Sequence, residues 1–259
     1  MRRARCALLG WVLAILGVAV TLLLAAGAVW GRALTAPAGA VAAVFGCLIV
    51  VLAGFPFLAL LILFVVASVL ATRYRFEEKQ RQNLQEGRSG ERGVSNVLAH
   101  IVLPTALVIG ASAFPSAVSP SALAALYTSA LAFGASDTFA SEFGVLAGHA
   151  RSILSYRPVT PGTNGGVSAL GEAFAFAGAL TTAVVGLGLF ALFGDLPREG
   201  TVFLGAVTVA GFVGCQIDSV LGEGLENRGY LTKGSTNLLG MLSAVAIGAV
   251  LYSLGGGPL

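Results

Sequence analysis

A chain of 259 residues that is 56% hydrophobic and only 10% charged, with mean hydropathy +0.89, lies far outside the balance of soluble domains. Its net charge of +3 comes from 15 basic and 12 acidic residues, and their placement reports membrane topology; nucleic-acid binding has no support. Cys6, Cys47 and Cys215 are widely spaced in or beside apolar segments. They make neither a disulfide framework nor a metal-ligand spacing and read as small buried hydrophobes.

The periodicity and length of the apolar runs predict an all-α polytopic membrane protein. A helix needs about 20 residues to cross a bilayer of about 30 Å. Seven stretches qualify, near 8–29, 40–71, 96–114, 121–146, 167–193, 201–221 and 237–254. The first follows Met1-Arg-Arg-Ala-Arg5 but is too long for a signal-peptide core, so it is read as an anchor. The second is long and carries Gly54 and Pro56, which predicts a kink or strong tilt. Between the second and third spans, Thr72 to Val94 is the one soluble-looking insert: a short helix in which Glu77 and Arg81 stand four apart, then a glycine-rich stretch. Three parts result: two anchors in 1–71, a basic loop over 72–95, and a catalytic transmembrane domain over 96–259. With the N-terminus in the cytoplasm, segments 1–7, 72–95, 147–166 and 222–236 share that side. They hold all of the 15 basic residues except Arg32 and Arg198, which puts the motif-bearing loops at the cytoplasmic face of the cell membrane.

Acids in so apolar a chain call for a function or a partner. Asp137 and Asp218 lie at the cytoplasmic ends of the fourth and sixth spans. At helical spacing, Asp137 and Ser141 share a face with Gly134 and Gly144, while Asp218 shares one with Gly211, Gly214, Cys215 and Gly222. Two such small-residue faces can pack closely, with both carboxylates converging on Mg²⁺, which takes one or two carboxylates plus substrate phosphates. Thr160-Pro-Gly-Thr-Asn-Gly-Gly166 reads as a phosphate cradle running into the fifth span, with Thr163, Asn164, Gly165, Gly166 and Ser168 as donors. It lacks the Gly-Lys-Ser/Thr ending of a P-loop, and no strand is expected before it. Arg88 and Arg92 flank the glycine-rich stretch and suit bidentate phosphate contacts. Glu172 is either a third ligand or a paired structural acid. The spacing of Asp137 and Glu142 repeats in Asp218 and Glu223, each pair followed by a Gly/Ser-Thr-Asn turn, which suggests a parallel repeat of two helical hairpins.

These motifs resemble an integral membrane family that includes the phytyl-phosphate kinase of plant vitamin E synthesis and animal transmembrane protein 19. The resemblance runs from about 85 to 254. It is carried by Asp137-Thr-Phe-Ala-Ser-Glu142, Pro161-Gly-Thr-Asn-Gly-Gly-Val-Ser168, Asp218-Ser-Val-Leu-Gly222, Arg92-Gly-Val-Ser-Asn-Val-Leu-Ala-His100 and Asn237-Leu238. His100 and Phe139 depart from the usual Asn and Trp. The resemblance implies a kinase that transfers the γ-phosphoryl group of CTP or ATP to an isoprenoid monophosphate. On that reading Asp137, Asp218 and Glu142 hold Mg²⁺, Arg157 takes the family's basic role, and Asn96 and Asn237 join the nucleotide and phosphate contacts. The partners are the prenyl-phosphate lipid, the nucleotide, membrane lipids and a second copy of the chain as an optional homo-oligomer. A CDP-lipid-synthase-like nucleotidyltransferase and an ion-coupled transporter are the alternatives.

Overall fold

The computed structural model of the chain describes residues 2–85, 90–194, 197 and 199–258, with side chains from Val12 onward. Nine α-helices appear among the described residues: α1 (Arg2–Trp30), α2 (Ala36–Ala53), α3 (Phe55–Arg73), α4 (Phe76–Arg81), α5 (Val94–Ala113), α6 (Pro120–Gly144), α7 (Ala169–Leu192), α8 (Gly200–Leu221) and α9 (Lys233–Leu254). Between α6 and α7 lies a three-stranded antiparallel sheet of order β2-β1-β3, built from Ala150–Ser152 (β1), Pro158–Val159 (β2) and Gly166–Val167 (β3).

Seven described helices are long and apolar enough to cross a membrane: α1, α2, α3, α5, α7, α8 and α9. The number and the all-α class are as expected, but the membership is not. The interval 40–71, expected as one kinked span, is two helices that meet at Gly54. Gly54 has φ 92° and ψ −180°, a region that essentially excludes residues with a Cβ, and Pro56 starts the next helix without needing an N–H partner. The chain therefore reverses there instead of bending. Gly54→Ala is expected to lower stability by roughly 1–3 kcal/mol, measurable by thermal unfolding in detergent.

That reversal changes the topology. Gly39 packs under Val29, Gly46 under Thr21 and Gly17 under Val50, so α1 and α2 run antiparallel. The Arg73 guanidinium at the end of α3 donates to Gly31 O just past α1, and Thr35 N–H donates to Arg92 O just before α5 (3.1 Å). The ends of α1, α3 and α6 and the starts of α5, α7 and α9 thus share one end of the bundle, which carries all the polar motifs. The opposite end holds the 114–119 turn, joined to the chain's tail by Ser119 Oγ donating to Pro258 O (2.8 Å). It also holds the Arg2 end of α1. The expected placement of 1–7 beside 72–95, 147–166 and 222–236 is therefore corrected: one more crossing before the motifs puts them on opposite sides. Among the described residues, the motif end carries Arg32, Arg73, Arg75, Lys79, Arg81, Arg92, Arg151, Arg157, Arg228 and Lys233, while Arg2, Arg3 and Arg5 lie in the first turn of α1.

The remaining long helix, α6, is rich in Ser and Thr and carries Asp137, yet it runs through the middle of the bundle against α3, α5, α7, α8 and α9. Its start is fixed by Ser119, whose Oγ accepts from Ala122 N–H (3.0 Å), with Pro120 in the first turn. Several of its polar groups are satisfied inside: Tyr127 OH donates to Phe57 O (3.0 Å) and Ser136 Oγ to Ala175 O (2.7 Å), while Ser129 Oγ is buried without a partner among the described residues. Small residues permit the close approach. A methyl group on Gly211 would lie 2.7 Å from the Ala132 side chain, and one on Gly178 would lie 2.9 Å from Ala135 O.

Candidate functional site

At the motif end, the starts of α7 and α9 and the ends of α6 and α8 enclose a polar cavity of about 350 Å³. Asp137 and Ser141 reach it from α6, Gly171 and Glu172 from α7, Cys215, Asp218 and Ser219 from α8, and Lys233 and Asn237 from α9. Its roof is the loop from Pro161 to Ser168, closed on one side by Asn83, Leu84 and Gln85 after α4. The packing of α6 on α8 thus brings the two aspartates to one space, as the small-residue faces suggested. Asp218 Oδ1 is buried there without a hydrogen-bond partner among the described residues.

The roof is more constrained than a free glycine loop. β2 leads into it and β3 out of it, so a two-residue strand precedes the loop where none was expected. Thr163 N–H and Oγ both donate to Thr160 O, and Gly166 N–H donates to Thr163 O (2.8 Å). Gly165, at φ 75°, passes over α8 so closely that a Cβ would overlap the Glu223 Cβ and lie 3.0 Å from Ser219 O. Gly165→Ala is therefore expected to displace the roof, at a cost of about 1–3 kcal/mol, and to abolish ligand-induced thermal stabilisation. After Leu221, α8 widens into a π-turn, Gly222–Glu226, that aims two carboxylates at the roof. Glu223 accepts from Ser152 Oγ (2.6 Å) and Leu154 N–H (3.3 Å), and Glu226 accepts from Asn164 Nδ2 (2.8 Å).

Several expected donors are therefore already engaged. Gly166 N–H closes a turn, the Asn164 amide holds Glu226, and Ser168 caps α7 by accepting from Gly171 N–H (3.1 Å) while donating to Gly144 O. The α7 start, read as an open anion site, has its own side-chain cap because β3 and Ser168 intervene between loop and helix. Thr163, Asn164, Gly165, Gly166, Ser168 and Asn237 all line the cavity.

Four expected residues fall elsewhere. Glu142 is not a cavity residue: it lies on the other stripe of α6, buried in an ion pair with Lys79 Nζ (2.6 Å) and accepting from Thr72 Oγ1 (2.6 Å). Arg157 sits in the exposed turn between β1 and β2, away from the cavity wall, because the hairpin carries it outward. Arg92 and Asn96 face the α3 side, where Arg92 donates to Asn96 Oδ1 (3.1 Å) and Thr72 Oγ1 (3.1 Å). Arg88 lies outside the described residues. Gly134, read as part of the Asp137 face, instead packs against Phe64 and His100.

Among the described residues, the cation that lines the cavity is Lys233, in the first turn of α9, which the sequence showed only as one of several loop basics. Its position follows from the capping box of Thr232 and Ser235, which starts α9 there. Glu172 is partly committed, accepting from Gln216 Nε2 (2.8 Å), and still lines the cavity. The two halves α6–α7 and α8–α9 run in the same directions, and each contributes one Asp and one Asn to the cavity, which keeps the expectation of a parallel repeat open to superposition.

Apolar helices of spanning length around a sheathed polar cavity define a multi-pass integral membrane protein. Comparison of sequences gives the particular family: the chain belongs to the integral membrane family DUF92, whose profile matches residues 19–241. It is 31% identical over 211 residues to an uncharacterized membrane protein of Methanocaldococcus jannaschii, covering 81% of this chain and 82% of that one. An uncharacterized membrane protein of Synechocystis is 34% identical over 198 residues, 74% of this chain and 72% of that one. Protein PGR of Arabidopsis thaliana is 29% identical over 194 residues, with 69% and 67% coverage. No solved structure gives a significant match.

Proposed function

We propose that the chain is a membrane-bound kinase that moves the γ-phosphoryl group of CTP or ATP onto an isoprenoid monophosphate, at the face of the cell membrane that meets the cytoplasm. The observation that carries this reading is Asp137 and Asp218, from two packed helices, lining one cavity under a glycine-rich roof. The resemblance of these motifs to the phytyl-phosphate kinase family supplies the substrate class. The positive charge gathered at the motif end supports a cytoplasmic orientation.

The oxygen donors fit a hard divalent cation. Asp218 Oδ1 is buried and unpartnered among the described residues, and no group of three His, Cys, Asp or Glu side chains with metal-binding geometry is found there. Two carboxylates leave the other positions to phosphate oxygens and water, the habit of Mg²⁺. Held by Asp137 and Asp218, Mg²⁺ would supply neutralisation of the phosphate charge. Lys233 offers the matching cation from the protein, in a wall whose other charged members, Asp137, Glu172, Asp218 and Glu226, are acids. The acceptor phosphate is already a competent nucleophile, so no strong base is needed, and the residues act by positioning and electrostatics. Asn83 to Gln85 line one side of the cavity.

Lys233→Met is expected to lower kcat/KM by roughly tenfold to a hundredfold, the range for losing one charge-assisted contact to a phosphate. The deciding experiment uses purified protein in detergent with γ-labelled CTP or ATP, Mg²⁺ and geranylgeranyl phosphate. Label in the prenyl diphosphate establishes the kinase and names the nucleotide. Pyrophosphate release with a nucleotidyl-lipid product assigns a nucleotidyltransferase instead. Neither product from folded protein returns the acids to an ion pathway.

A further inference from the structure

We propose that a second cavity, walled by α1, α2, α3 and α5, holds the hydrocarbon tail of the phosphorylated lipid, with its polar end at Ser68 and His100; this assignment rests on the kinase reading above. The cavity has about 350 Å³ and its walls are almost wholly apolar, with Leu24, Leu58, Leu61 and Phe64 among them. It opens on the lipid-facing surface, since Leu24 and Leu70 at its edge are 47% and 64% exposed. A cavity at the small end of the ligand range of about 300–1,000 Å³ suits one chain, not the two chains of a bilayer phospholipid.

The polar end points to a ligand with a hydrogen-bonding head. Ser68 and His100 are 1% and 5% exposed, and Ser68 Oγ and His100 Nδ1 are buried with no hydrogen-bond partner among the described residues. Buried polar atoms left so are costly; His100 Nδ1 lies against Gly134 of α6, and Ser68 Oγ is the one at this end that a bound polar group can satisfy. Arg92 and Asn96 stand beside them and give that end a positive charge.

This end also adjoins the aspartate cavity. His100 packs on α6 at Gly134, where a methyl group would lie 3.1 Å from Nδ1. Asp137 follows Gly134 by one turn of α6 toward the motif end, so a phosphate leaving the tail cavity past His100 reaches the side where Asp137 and Asp218 stand.

The test is a geranylgeranyl phosphate carrying a diazirine near its tail end, photolysed with the purified full chain and mapped by mass spectrometry. Crosslinks are expected on α1 to α3 around Leu24, Leu58 and Leu61, and Ala42→Phe, which fills the cavity, should reduce them at least tenfold. Excess unlabelled geranylgeranyl phosphate should displace the probe, and phosphatidylglycerol should not. Crosslinks confined to α7, α8 or α9 overturn the assignment whatever the Ala42 variant does. Displacement by phosphatidylglycerol alone overturns it too, in favour of a resident bilayer lipid. The crosslink does not depend on turnover. Tail labelling here without phosphoryl transfer keeps the tail site and removes the kinase, and transfer with labelling elsewhere does the reverse.

Discussion

Asp218→Asn is expected to cost at least roughly 10²–10³-fold in phosphoryl transfer, the scale seen when one preorganised charge-stabilising group is lost, while leaving the protein as stable as before or more so. Asp137→Asn should behave alike. The carboxamide keeps the volume of the carboxylate but loses the charge that a divalent cation needs. Both carboxylates line one cavity, Asp218 Oδ1 without a hydrogen-bond partner among the described residues, and the two aspartates act on each other electrostatically. Removing one relieves that repulsion, and such a trade of stability for function marks a working site. In the wild type, Mg²⁺ with nucleotide should raise the unfolding temperature by mass action, and in either variant the rise should disappear. A variant that transfers phosphoryl groups at the wild-type rate would remove the metal role from that residue.

Glu142→Gln should do the opposite, destabilising the fold by about 3–5 kcal/mol because it leaves a buried ammonium without its counter-charge. Lys79 is 1% exposed, and its Nζ bonds Glu142 Oε2 (2.6 Å), Ala71 O (2.9 Å) and Thr72 O (3.2 Å). Thr72 links the same carboxylate to Arg92, so the pair clamps the end of α3, the short α4 and the start of α5 onto α6. Lys79→Met should cost a similar amount, and the double variant Lys79→Met with Glu142→Leu should recover most of the loss. Thermal and denaturant unfolding in detergent read this directly. A Glu142→Gln protein of wild-type stability that no longer responds to Mg²⁺ would return Glu142 to the metal.

The contrast between these two acids shows what the sequence could carry. Asp137 and Glu142 are five residues apart on one helix and sit in one motif, yet one faces the cavity and the other a lysine 63 positions earlier. At helical spacing five residues apart they fall on different stripes, but which stripe meets the cavity depends on a long-range partner that no local pattern names. The spans were legible because hydropathy and length suffice for them. The break at Gly54 was visible as a disturbance, and its size was not: a kink and a reversal share the same Gly and Pro. The sheet was hidden because strands of two or three residues leave no periodicity to read. Arg157 seemed the natural cation from its place before the glycine loop, but the hairpin turns it outward, and Lys233 takes the cavity position because a capping box sets where α9 begins.

The central position of α6 has a consequence for biosynthesis. A helix with an aspartate and many hydroxyls partitions poorly into lipid by itself, and α6 is the long helix that fails the hydropathy of a spanning segment. It has no stable resting place in the bilayer until α7, α8 and α9 exist to shield it. Integration at the translocon must therefore be concerted, with α6 held back or admitted together with α7 as a hairpin. In a chain truncated after Gly144, the Ser136→Cys variant should react with a water-soluble maleimide, and in the full chain, where Ser136 is buried, it should not.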